Sequence, residues 1–117
     1  MKPTKNNLLR DGIKGKLTAT QRAKLRTRFH KLIRQRAGNL IKKHRLQLPQ
    51  LVGLESDPKN PSWFPVPGMY GGFKFWLIYE DDQPVIISES WCRVVEGSGQ
   101  RHRITTDSIE LVESGFV

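Results

Sequence analysis

The residues best suited to acid–base chemistry lie in the last third of the chain: Glu89, Arg93 and His102. A carboxylate, a guanidinium and an imidazole on one surface can act as base, phosphate clamp and acid in phosphodiester cleavage. RNA suits such a set, because its own 2′-hydroxyl supplies the nucleophile. His102 is the natural acid, since an imidazole changes charge near neutral pH without a large shift. Whether the three residues meet depends on strand register.

Residues 70 to 117 read as strands at about 70–79, 84–95, 100–105 and 108–113, with turn residues at 80–83, 96–99 and 106–107. Short links between them predict an antiparallel meander. A hairpin centred on Asp81 and Asp82 pairs Ile78 with Val85, Trp76 with Ile87, Lys74 with Glu89, Gly72 with Trp91 and Tyr70 with Arg93. A hairpin centred on Gly97 and Ser98 pairs Val95 with Gln100, Arg93 with His102 and Trp91 with Ile104. Alternation then puts Phe73, Phe75, Leu77, Ile86, Ser88, Ser90, Cys92 and Val94 on one face. The other face receives Tyr70, Lys74, Trp76, Glu89, Trp91, Arg93, Gln100 and His102. On this register His102 stands beside Arg93, with Glu89 one step away. A slip of one residue would move the set to the wrong face. The plainer reading of the same residues is structural, with Lys74 neutralising Glu89 across the strands.

A helix must cover the apolar face. Thr18 with Gln21 fits a capping box. Leu25, Phe29, Leu32, Ile33, Leu40 and Ile41 then follow at helical spacing. The remaining positions carry Arg22, Lys24, Arg26, Arg28, Lys31, Arg34, Arg36, Lys42, Lys43 and Arg45. Gly38 and Asn39 are expected to kink this helix or divide it in two. Before it, residues 1–17 read as a flexible basic arm. After it, residues 47–69 read as a proline-rich connector that Trp63 and Phe64 pin to the core.

Charge divides the chain sharply. Residues 1–46 hold 15 Lys and Arg against Asp11 alone, whereas residues 47–117 hold 5 against 10 acids. The halves are thus +14 and −5, within a net +9. Solvated faces usually mix signs, so an unmixed cationic helix points to a polyanion. Long cationic side chains contact phosphates without reading sequence. RNA or single-stranded DNA is the first expected partner, and an acidic protein or antitoxin the second. On the sheet, Tyr70, Trp76 and Trp91 are candidate base-stacking surfaces, and Gln100, Arg101 and Arg103 add polar contacts.

Several classes are disfavoured. The single Cys92 allows no internal disulfide, and with the three histidines it shows no metal-ligand spacing. No glycine cluster forms a phosphate loop, so neither metal nor cofactor is expected. The longest apolar run is far short of a membrane span, and the N-terminus lacks a signal-peptide core. A cytoplasmic protein without membrane association is expected.

These elements give an α+β fold. One or two basic helices within residues 18–46 pack on one face of a four-stranded antiparallel meander over 70–117, as a single domain from residue 18. In architecture, though not in any sequence motif, this resembles the barnase-like and toxin-type ribonucleases, which implies metal-independent RNA cleavage by the open sheet face. The expected function is RNA binding, with cleavage left open. The alternative is a non-enzymatic phage- or plasmid-type regulator that binds a protein through its basic helix.

Overall fold

The computed structural model describes residues 17–52, 54 and 59–117. Helix α1 spans Ala19–His44, and strands β1 (Ser62–Val66), β2 (Gly71–Glu80), β3 (Gln83–Cys92), β4 (Gly99–Ile104) and β5 (Ile109–Phe116) follow. All five strands join in one antiparallel sheet of order β1-β2-β3-β4-β5. The fold is α+β, with five strands where the sequence predicts four. Except for Leu17, the arm expected over residues 1–17 lies outside the described residues.

The added strand lies inside the proline-rich connector. Three prolines, Pro61, Pro65 and Pro67, sit in or beside β1. They are tolerated because β1 is an edge strand, where a missing N–H breaks no inner ladder. Proline content therefore demoted the segment from central strand without excluding it from the sheet.

Helix α1 starts where its capping box predicts. The Gln21 N–H donates to Thr18 Oγ1 at 3.1 Å, and the Thr18 N–H donates to Gln21 Oε1 at 3.0 Å. Ala37 leaves helical geometry (φ −144°, ψ 26°), so the helix kinks next to Gly38 and continues to a left-handed Arg45 cap. Leu25, Phe29, Leu32, Ile33 and Ala37 are buried from this helix. They meet Phe73, Phe75, Leu77, Ile86 and Ile104 of the sheet in one core. Phe29 sits at its centre, with ring centroids 4.8 Å from Phe75 and 6.3 Å from Phe73. Beyond the helix, the His30 Nε2–H donates to the Pro49 carbonyl at 2.5 Å and holds the chain where Leu48 and Leu51 enter the core.

The β2–β3 register is the one read from sequence, from Gly72 opposite Trp91 to Ile78 opposite Val85. Its two-residue turn has Asp81 and Asp82 both at positive φ, as a type I′ hairpin requires. The β3–β4 register differs. Ser88 faces His102, Glu89 faces Arg101 and Ser90 faces Gln100. The connection is a longer loop over residues 93–98, because Ser98 Oγ both accepts from the Cys92 N–H (2.8 Å) and donates to the Cys92 carbonyl (2.7 Å). One hydroxyl thus occupies the groups that a continued ladder would have used. The shift is an odd number of residues, so every β4 side chain changes face.

Two adjacent glycines let three strands approach closely. A Cβ on Gly71 would lie 2.2 Å from the Trp91 carbonyl oxygen, and one on Gly72 would lie 2.3 Å from that of Phe64. Gly72→Ala must therefore move strand backbone and is expected to cost about 1–3 kcal/mol. Gly38→Ala meets nothing within 4 Å and should gain up to about 1 kcal/mol from helix propensity. Urea unfolding of both variants measures this opposition in sign. Equal effects would contradict the packing described.

Candidate functional site

The sheet face turned away from α1 carries a ladder of opposite charges. Glu89 accepts from Arg101 Nε at 2.8 Å and pairs with Lys74 Nζ at 3.3 Å, while Arg101 continues to Glu113 at 2.5 Å. Arg103 pairs with Glu80 and, at 3.4 Å, with Glu110. Burial pushes the Glu89 carboxyl up, but hydrogen bonds from Arg101 and Lys74 outweigh it and leave the pKa below the ordinary value. Hydrogen bonding from Arg103 likewise lowers Glu80. A carboxylate held this way is a weak proton acceptor.

The three residues read as acid, base and clamp are not brought together. His102 lies on the helix side of the sheet, opposite Ser88 and Leu111, and is 8% exposed. Its Nδ1 is buried without a hydrogen-bond partner among the described residues. Burial, and then the nearby Arg36 charge, lower its pKa, which favours the neutral imidazole. Glu89 is on the other face, and Arg93 lies in the loop after β3, exposed. The register change is the reason: Gln100 and His102 point toward α1, while Arg101 and Arg103 take the open-face places assigned to them. Val94, expected under the helix, is 69% exposed in the same loop.

The cations of α1 fall into two groups. Lys24, Lys31, Arg34, Lys42, Lys43 and Arg45 are exposed. Arg22, Arg26, Arg28 and Arg36 are half-buried, and two of them fasten the helix down. Arg28 Nε donates to the Thr106 carbonyl at 2.9 Å. Arg36 donates to Ser90 Oγ at 3.0 Å, the Ser90 carbonyl at 3.3 Å and the Ser98 carbonyl at 2.7 Å. Arg36 thereby braces the loop that sets the β3–β4 register. None of the six exposed cations forms an ion pair with a carboxylate among the described residues. At 3.6 residues per turn, Lys24, Lys31, Arg34 and Lys42 share the side opposite the buried stripe. An open depression of about 370 Å³ lies at the kink, along residues 34–40.

Two tryptophans meet on the open face, and Tyr70 precedes β2 at the same end of the sheet. The Trp63 and Trp91 rings stack at 5.3 Å and 27°. Trp63 is 48% and Tyr70 66% exposed. Phe64 does pack toward the core, against Phe73, but Trp63 turns outward, contrary to the expectation that both would pin the chain. Trp76 is half-buried under the Lys74 ammonium, 6.0 Å from its ring. No family model matches this chain, and no curated protein and no solved structure matches it. Among the described residues no group of acidic, His or Cys side chains could hold a metal ion, and no helix is long and apolar enough to cross a membrane.

The stretch Gln100–Ile104 alternates, and only one parity keeps Arg101 and Arg103 out of the core while putting Ile104 in it. Burying two guanidiniums costs far more than burying one neutral imidazole.

The lowered pKa of His102 has a consequence for stability. The unfolded chain, with an ordinary value of 6.5, takes up the proton first as pH falls. Stability is therefore whole above that pH and is lost below it. His30, lowered by burial despite the Pro49 hydrogen bond, acts in the same direction. The urea midpoint should fall between about pH 7.5 and about pH 5, and less steeply in His102→Gln. An unchanged pH dependence in that variant would contradict the buried, neutral assignment.

Proposed function

We propose that the protein binds a polyanion, RNA by preference, through the solvent face of α1. One observation carries the reading: among the described residues the exposed cations of α1 have no carboxylate partners, whereas Lys74, Arg101 and Arg103 of the sheet each have one or two. The sheet's charges are satisfied internally, and those of the helix await an external partner. No acidic residue occurs between Thr18 and Leu46 to weaken the field. A cationic row of this kind meets phosphates and carries no base preference of its own. The reading is one of binding rather than cleavage, because Glu89 is held by two cations and His102 lies across the sheet from it.

Binding of a single-stranded RNA should weaken with salt, log K falling by roughly 0.7 per phosphate contact for each tenfold rise. Combining Lys24→Gln, Lys31→Gln and Arg34→Gln removes three exposed cations whose side chains bond nothing among the described residues. The slope should flatten by about 2 with stability unchanged. Affinity indifferent to salt, or a slope that survives the triple change, would overturn the reading.

A further inference from the structure

The α1 surface explains an attraction to phosphates but not which form of nucleic acid is held. Tyr70 bears on that question. Its backbone is left-handed (φ 56°), a conformation that costs a bulky residue on the order of 1–2 kcal/mol. The side chain recovers little of this by packing, since it is 66% exposed. Its carbonyl accepts the Arg93 N–H at 3.0 Å, a bond that a glycine would make equally well. The fold therefore holds an exposed aromatic ring at a place where glycine would be more stable.

The backbone of Tyr70 runs close to a second aromatic surface. Tyr70 is two residues from Gly72, the partner of Trp91. The Trp63 and Trp91 indoles reach toward each other from the strands on either side of β2, where Gly72 contributes no side chain. Each fixes the other's orientation, and Trp63 remains 48% exposed. An indole braced in this way loses little entropy when another flat ring stacks on it.

The surroundings favour an anionic occupant. Arg93, opposite Tyr70, is exposed and unpaired among the described residues. The turn between β1 and β2 touches the end of α1: a Cβ on Gly68 would lie 3.0 Å from Leu40 and 3.8 Å from His44 Nε2. Lys42 and Lys43 are thus on the adjacent helical turn. At this turn the second part of α1, with its exposed Lys42 and Lys43, approaches the edge of the sheet beside Tyr70.

We infer that Tyr70 and the stacked Trp63–Trp91 pair form a platform for unpaired bases, so that the protein takes single-stranded nucleic acid in preference to duplex. This rests on the α1 reading for its phosphate contacts and adds the choice of strand form. Paired bases offer no free faces except at their ends, whereas each unpaired base offers a face to an aromatic ring.

The test compares oligouridylate with a duplex RNA of equal length, followed by tryptophan fluorescence and by direct titration. Wild type should bind the single strand more tightly, with its emission quenched. Trp63→Ala should weaken single-strand binding roughly five- to a hundredfold, leaving duplex binding and the salt slope unchanged, and Trp63→Phe should restore most of the loss. Tyr70→Gly should weaken single-strand binding while raising the melting temperature, a split that a merely structural role would not give. Equal affinity for both forms, or equal losses on both in Trp63→Ala, would overturn the platform while salt-dependent binding upholds the α1 reading. Absence of salt-dependent binding to either form would sink both. A wild type that sediments as a dimer and becomes monomeric in Trp63→Ala, with RNA binding unaltered, would assign the face to a second copy and overturn the proposal.

Discussion

The face of the sheet that α1 leaves open is held by its ladder of opposite charges. Lys74 and Arg101 converge on Glu89, Arg101 continues to Glu113, and Arg103 joins Glu80 to Glu110. Among the described residues one helix serves five strands, and it covers one sheet face. The parity that turns Arg101 and Arg103 toward these carboxylates also turns His102 and Ile104 toward α1. Register, burial of the histidine and neutralisation of the sheet are thus consequences of one arrangement. Exposed ion pairs contribute little to stability one at a time. Here their larger effect is on specificity, because the alternative β4 register would bury two guanidiniums.

Local signals in the sequence were reliable where the chain does the local thing. The Thr18–Gln21 box, the α1 stripe and the Asp81–Asp82 hairpin all depend on neighbours a few residues apart, and all are present as read. The β3–β4 connection depends on the Ser98 hydroxyl returning to both backbone groups of Cys92. Turn residues announce a reversal there but not its length, and a length of odd parity inverts a whole strand. Strand β1 was hidden for a different reason: prolines weigh against a strand only where its N–H groups are needed. The cationic helix was plainly legible. Its division into anchoring arginines, Arg28 and Arg36, and free exposed cations was not, because that depends on which sheet loops lie beneath it.

That division gives the functional reading its content. Nine Lys and Arg on a helix, with a tenth at its C-cap, suit a solvated surface, an anchor or a binding face equally, and composition alone does not separate these. Arg28 and Arg36 spend their donors on carbonyls of the sheet and its loops, whereas Lys24, Lys31, Arg34 and Lys42 face outward without partners among the described residues. Glu80, Glu89, Glu110 and Glu113 are engaged on the far side of the sheet. The molecule therefore has a neutralised face and a cationic face on opposite sides of one thin layer. Tyr70, Trp63 and Trp91 lie at the end where the second part of α1 meets the sheet.

On the function proposed, the charges of α1 are available to a polyanion and those of the sheet are not. Amide and guanidinium resonances followed by NMR during titration with a short single-stranded RNA test it residue by residue. The largest shifts are expected at Lys24, Lys31, Arg34 and Lys42, with the side chains of Arg101 and Arg103 unmoved in their ion pairs. Shifts centred on Arg101 and Arg103, with α1 silent, would contradict it.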